Sequence, residues 1–245
     1  MQPTLVVALS ALQQDANRLD RIALNLANAS TPGYRREVAG AGAGAAVSAA
    51  QAFGAQVEAG MAASAPTPST VADTRPGTLR ATGQSLQLAL TGPEFFEVAT
   101  ESGPAYTRNG EFRVDTRGRL VTMSGKPVMG RGGEIVLTTP NPVVDSAGVV
   151  REAGNIVGQL KLVTFSDPKS MRRLGDGLWA PGEGMTPAQD TVQTVRQGYL
   201  ENSNVSSLVE MTQLVQTMRH AESVQRMTQN YDEMIGQAIR KLGEA

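Results

Sequence analysis

At 245 residues and a formal net charge of −1, the chain is long enough for one large domain or two modest ones, and it has no electrostatic bias towards nucleic acid or an anionic membrane. It contains no cysteine, which excludes disulfides, thiolate catalysis and cysteine-ligated zinc. Aromatic residues are only 4 % of it beside 26 Gly and 13 Pro, so a core must lean on Leu, Val and Ala, and an extended protein is favoured over a compact enzyme.

Residues 1–29 lack a basic segment followed by an apolar run and a small-residue cleavage site, and no run of about 18 apolar residues occurs anywhere. Neither a cleaved signal nor membrane insertion is expected. Leu5, Leu12, Leu19 and Leu26 instead recur every seven residues, with Leu9, Ala16 and Ala23 four residues after the first three. That is the a/d spacing of a coiled-coil seam and predicts a long amphipathic first helix. Asn25 and Asn28 lie at its end, and Pro32 and Gly33 stop it, the one lacking an N–H donor and the other permitting positive φ.

Residues 36–77 are of low complexity, with Gly40-Ala41-Gly42-Ala43-Gly44 followed by Pro66, Pro68 and Pro76, and are expected to form an extended connection. No apolar strand precedes these glycines and no Gly-Lys-Ser/Thr follows them, so they do not make a phosphate-binding loop. From 78 to 180 the apolar period shortens to two. Leu86, Leu88 and Leu90, then Phe96 and Val98, then Phe112 and Val114, fall in short runs broken by turn residues such as Asn109-Gly110, Asp115–Gly118 and Ser124-Gly125. An all-β domain of antiparallel strands is predicted, with Gly158–Phe165 as its best single strand. Residues 181–205 form a second extended connection.

The last stretch, 206–245, returns to helical spacing. Leu208, Met211, Val215, Met218, Val224, Met227, Tyr231, Met234 or Ile235, Ala238 and Leu242 form its apolar set, and Ser207 with Glu210 makes a capping box at the start. The fold expected is therefore α+β: long N- and C-terminal amphipathic helices (1–35 with 206–245) paired in a coiled-coil-like layer, and a central β domain. A helical hairpin packed inside one globule is the alternative. Such a final helix, roughly 55 Å long, exceeds what a compact domain of this size offers it to pack along.

No catalytic, metal or cofactor site is expected. His220 is the only histidine and cannot form a His-x-x-x-His pair. Glu94, Glu97, Glu101, Glu111 and Asp115 are close in sequence, but they read as solvated turn and strand residues. Arg108, in a hairpin dense with glycine, is expected to hold strand register through backbone carbonyls.

Three segments together resemble signatures of the bacterial flagellar rod, hook and hook-associated protein family. The first is Ala23, Asn25, Leu26, Ala27, Asn28, Thr31, Gly33 and Tyr34, with Leu24 where the family usually has Asn. The second is Tyr106-Thr107-Arg108-Asn109-Gly110-Glu111-Phe112, which matches a Tyr-Thr-Arg-x-Gly-x-Phe hallmark; upstream of it, Gln87 replaces the usual Asp and Pro93-Glu94 a Gly. The third is Gly198–Val205, which includes Asn204 and resembles the segment leading into the final helix of rod proteins. Length and opening are most similar to proximal-rod members, with distal-rod members next and hook-type subunits after them. The resemblance implies a structural subunit, without enzymatic activity or cofactor, that polymerises through its terminal helices into a torque-transmitting tube. Its partners are then copies of itself, other flagellar rod proteins and the flagellar type III export apparatus, and its place is the periplasmic rod. The implied assembly positions are the seam residues of both helices together with Asn25 and Asn28. A stalked β-domain adhesin and a rod-resident glycan hydrolase are alternatives, the latter disfavoured because no extra domain is present.

Overall fold

The computed structural model describes residues 2–40, 70–182, 188–189 and 195–243. The glycine- and proline-rich stretch 41–69, read above as a connection, lies outside the described residues. The chain divides into two compact units, Met1–Ala27 with Val205–Ala245 and Asn28–Asn204. The described residues are α+β, with a helix at each end and an antiparallel β region between them.

Helix α1 spans Gln2–Ala27 and helix α2 spans Ser207–Gly243, and the two pack on each other. Pro3 falls in the first turn of α1, where a missing N–H costs nothing. On α1 the stripe of buried and half-buried positions runs through Ala8, Leu12, Asp15, Leu19, Ile22 and Leu26, with Asn25 beside it; Ala11, Asn17 and Arg21 are half-buried outside that stripe. The seam expected through Leu9, Ala16 and Ala23 is displaced: those three are exposed, and the inward positions follow each leucine by three residues rather than four. Seven-residue periodicity cannot tell these registers apart. Asp15 does, because its carboxylate meets His220 Nδ1 of α2 at 2.7 Å.

On α2 the inward positions are Glu210, Leu214, Thr217, Ala221, Val224, Thr228, Tyr231 and Ile235, spaced alternately by four and three. Among its described side chains only Glu210 and Thr217 are fully buried. Thr217 and Thr228 satisfy their hydroxyls on the carbonyls of Gln213 (2.8 Å) and Val224 (2.9 Å), which lets hydroxyl residues sit in a helix without an outside partner. Leu208, Met211, Val215 and Met218 do not share this face with Val224, Tyr231 and Ile235. Met211, Val215 and Met218 follow the inward stripe by one residue, about 100° round the helix, Leu208 lies one turn before Met211, and all four are exposed.

In the β unit every strand pair is antiparallel. The largest sheet orders its strands Arg172–Gly175, Leu178–Ala180, Gly103–Thr107, Phe95–Thr100, Leu162–Thr164 and Ala188–Gln189. Successive strand residues point to opposite faces, and Phe95 and Phe96 serve two cores. Phe96 packs with Leu88, Leu90, Val98, Phe112 and Leu160. Phe95 packs with Tyr106, Val163, Phe165, Met171 and Trp179. Edge-to-face rings join within each, Phe96 to Phe112 at 5.1 Å and Tyr106 to Phe165 at 4.8 Å.

Gly158–Phe165 is not one strand. It is split into Asn155–Gln159, in a three-stranded sheet with Val143–Val144 and Val149–Glu152, and Leu162–Thr164 in the large sheet. Between them Leu160 N–H donates to Gly148 O and Lys161 N–H to Met129 O, so the chain changes sheets there. Segments expected as connections also carry strands: Glu37–Ala39 pairs with Thr70–Ala72, Val195–Gln197 with Leu88–Leu90, and Tyr199–Glu201 with Leu79–Ala81.

Candidate functional site

Within the β unit, the three sequence motifs meet around Arg108 and Glu201. The strand pairing of Tyr199–Glu201 with Leu79–Ala81 turns Glu201 inward. The hairpin brings Arg108 up beside it; both side chains are essentially sealed from solvent, at 1 % and 2 % exposure. Glu201 Oε2 accepts from Arg108 Nε at 2.9 Å and faces the second guanidinium nitrogen at 2.7 Å. Its Oε1 faces Arg35 at 2.9 Å and accepts from Gly77 N–H at 2.9 Å. Arg108 spends its other donors on the carbonyls of Leu90 (3.2 Å), Gly92 (2.7 Å) and Glu94. One anion thus sits between two cations, and every group named is hydrogen-bonded, the condition for tolerating buried charge. Burial is the main influence on Arg35 and pulls its pKa below the usual value, against the opposing charge of Glu201.

The N-terminal motif reaches the same place through its backbone. Gly33 has φ +68°, and a Cβ there would lie 2.4 Å from Arg108 C, so glycine is required twice over. Its N–H donates to Glu201 O at 2.7 Å. Asn204 spans the next residues: its Oδ1 accepts from Arg36 N–H at 2.6 Å, and its Nδ2 donates to Asp73 O (3.1 Å) and Arg75 O (2.9 Å). Thr31 Oγ1 donates to Asn28 Oδ1 at 3.2 Å. Tyr34 is buried; its hydroxyl receives Arg173, whose guanidinium lies 4.7 Å from the Tyr34 ring and 5.4 Å from that of Trp179. Arg173 also pairs with Glu37 at 2.5 Å.

In the hairpin, Thr107 Oγ1 donates to Gly177 O at 3.0 Å and accepts from Asn109 N–H at 3.0 Å. Gly110 makes room: a Cβ there would meet Leu88 O at 1.6 Å. Phe112 lies in the core. Glu94 and Glu97, expected to be solvated, are buried instead. Glu97 pairs with Lys161 Nζ at 2.7 Å. Burial first, and the Glu97 carboxylate second, push the Tyr106 phenol up to about 12.

The helix positions behave differently. Leu12, Leu19, Leu26, Val224, Tyr231 and Ile235 are half-buried, Asn25 is buried and Asn28 half-buried. Leu9 is 65 % exposed and Leu208 77 %. The side chains of Leu5 and Leu242 lie outside the described residues. Sequence reading missed Glu201, Arg35, Asp15 and Arg173 as contact residues; each lies among other charged or polar residues, and no local pattern sets it apart. Among the described residues no group of His, Asp or Glu has the proximity to hold a metal ion, and no helix is long and apolar enough to cross a membrane.

A buried ion cluster that ties distant segments of one unit together, and helices of the other unit with apolar side chains left over, fit a structural protein built to meet others. Comparison with known proteins gives the class a family. Residues 5–35 match the family described as flagella basal body rod protein, residues 89–157 the D1 domain of flagellar hook protein FlgE/F/G, and residues 196–241 the C-terminal region of flagellar basal body rod FlgEFG protein. The chain is 34 % identical to the flagellar basal-body rod protein FlgF of Caulobacter vibrioides, over 100 % of this chain and 99 % of that one. It is 32 % identical to FlgF of Salmonella typhimurium, over 99 % of each chain. It is 26 % identical to the flagellar basal-body rod protein FlgG of Bacillus subtilis, over 98 % of each. The chain belongs to the flagellar basal-body rod protein family, and it is a structural subunit of the rod, not an enzyme.

Proposed function

We propose that the subunit is of the proximal rod and polymerises through α1 and α2 into a helical tube that carries motor torque. The observation that supports this most is the surplus of apolar surface on α2. A helix packed on one partner uses one stripe, yet α2 has three. Beside the inward stripe lies Leu208, Met211, Val215 and Met218; Met227 and Met234 follow Val224 and Tyr231 by three residues, about 60° off on the opposite flank. Neighbours on both sides, in addition to α1, would cover all three. Contacts between unlike patches propagate head-to-tail and build a tube rather than a closed dimer.

In this reading α1 and α2 pair in a coiled-coil manner within residues 1–35 and 206–245, and residues 78–180 form the body of the β domain. The parts of the seam residues that this pairing leaves exposed make the contacts between subunits, alongside other rod proteins in the periplasmic space. Subunits reach the rod through the flagellar type III export apparatus. Proximal-rod placement is favoured by the FlgF relatives, which span nearly their full length at 30 % to 34 % identity. Only two described side chains of α2 are fully buried in the single chain, so its helical order depends on neighbours.

The test is Met211→Asp together with Val215→Asp. The double variant should keep a folded β unit, read by fluorescence of Trp179, and be absent from purified basal bodies. Normal incorporation would rule out this face as an assembly contact.

A further inference from the structure

The sulfur of this chain is all thioether: it has ten methionines and no cysteine. Their placement is uneven. Met171 is buried in the second core of the β unit, but Met211, Met218, Met227 and Met234, all on α2, are between 50 % and 60 % exposed. These four occupy the two flanking stripes of α2 rather than the stripe turned towards α1. Methionine suits such a surface, because its unbranched, polarisable side chain fits irregular neighbours. It also brings a reactivity that leucine lacks.

We propose that these four methionines make α2 a redox-modifiable assembly surface, on which two-electron oxidation to sulfoxide withdraws the subunit from polymerisation until a sulfoxide reductase, taking two electrons from a dithiol that becomes a disulfide and releasing the oxygen as water, restores it. The inference rests on the polymerisation reading above. The oxidant is hydrogen peroxide or a hypohalous acid. With peroxide, a sulfur lone pair attacks one peroxide oxygen, the O–O bond breaks, an S–O bond forms, and the departing hydroxide takes the proton left on the transferred oxygen, so that water leaves. Sulfur is oxidised by two electrons and the peroxide is reduced. The product is a polar S–O group at a position that assembly covers with apolar partners, and a polar acceptor buried there without a donor opposes association. Association is the protective state: once neighbours cover the stripes, peroxide no longer reaches the sulfurs.

The experiment uses the full chain. The purified protein is treated with hydrogen peroxide, mapped by peptide mass spectrometry, and its concentration-dependent association is followed by sedimentation. Sulfoxide should accumulate at the four α2 positions while Met171 stays reduced. Association should weaken roughly tenfold or more for each sulfoxide placed in a contact. Peptide-methionine sulfoxide reductases should return both the thioethers and the association. Met123, exposed in the β unit, is the control: Met123→Leu should leave the peroxide effect intact. Unchanged association with all four sites oxidised overturns the inference, as does an effect abolished by Met123→Leu. An untreated protein that never associates overturns the polymerisation reading itself, and this inference with it; a protein that associates but ignores oxidation overturns this inference alone.

Discussion

Replacing Glu201 with Gln removes the negative charge that separates Arg108 from Arg35 while keeping the side chain's shape. Both guanidiniums then remain in the interior, Arg108 at 1 % exposure and Arg35 at 8 %, with no carboxylate between them. Breaking a buried pair by removing one partner costs about 3–5 kcal/mol, because the remaining charge is uncompensated. Here one anion serves two cations, which places the expected loss at the upper end. With a urea slope of about 2–3 kcal/mol per molar, the unfolding midpoint of the β unit should fall by roughly 1.5–2.5 M. Trp179 is the chain's only tryptophan and is buried in that unit, so its fluorescence reports the transition directly. Adding Arg35→Met to Glu201→Gln removes one orphaned cation and should recover part of the loss. A midpoint shifted by less than about 0.3 M, or a double variant weaker than the single one, would show that the cluster does not hold the unit together.

Other perturbations read different parts of the same unit. Glu152 accepts five hydrogen bonds from Thr138 and Thr139, with the Thr138 hydroxyl the strongest influence, and its pKa falls to about 2 from an ordinary 4.5. A depressed carboxylate stabilises fully above its ordinary value and loses that contribution as pH falls towards 2, so the stability gap between wild type and Glu152→Gln should shrink across that window in urea titrations. Tyr106 works in the opposite sense. Its raised pKa favours the folded state up to pH 10, a contribution lost as pH climbs through about 12, and near-ultraviolet absorbance should show a late tyrosinate step that Tyr106→Phe abolishes. Gly110→Ala drives a methyl into the Leu88 carbonyl and should cost at least about 3 kcal/mol, seen as a melting temperature lowered by roughly 6–12 °C.

Much of this molecule could be read before it was seen, and the reasons differ by region. The two helices announced themselves because apolar spacing and Pro32-Gly33 are local signals. The assignment of α1's inward positions failed at Leu9, Ala16 and Ala23, since a seven-residue repeat fits steps of three or four equally and the Asp15–His220 contact that decides it joins residues far apart in the chain. On α2 a single list of apolar residues concealed three faces: from Met218 to Val224 is a step of six, which turns the helix away from its first stripe, and Met227 lies on the opposite flank. Arg108 was legible as a donor to carbonyls because glycine-rich turns leave carbonyls without strand partners. Glu201, Arg35 and Glu97 were not, because a charge becomes acceptable in an interior only through partners that the fold supplies. The break at Leu160 had the same character; every residue from Gly158 to Phe165 suits a strand, and only the positions of Gly148 and Met129 divide them.

The two chain passages that flank the helices run side by side in the same sense. Gly33 N–H meets Glu201 O, Asn204 N–H meets Tyr34 O, and the Asn204 side chain meets Arg36 N–H. One passage is drawn from its beginning, at residue 28, and the other from its end, at residue 204. Traction on the two therefore slides them past each other instead of peeling them apart, and these bonds must yield together rather than one after another.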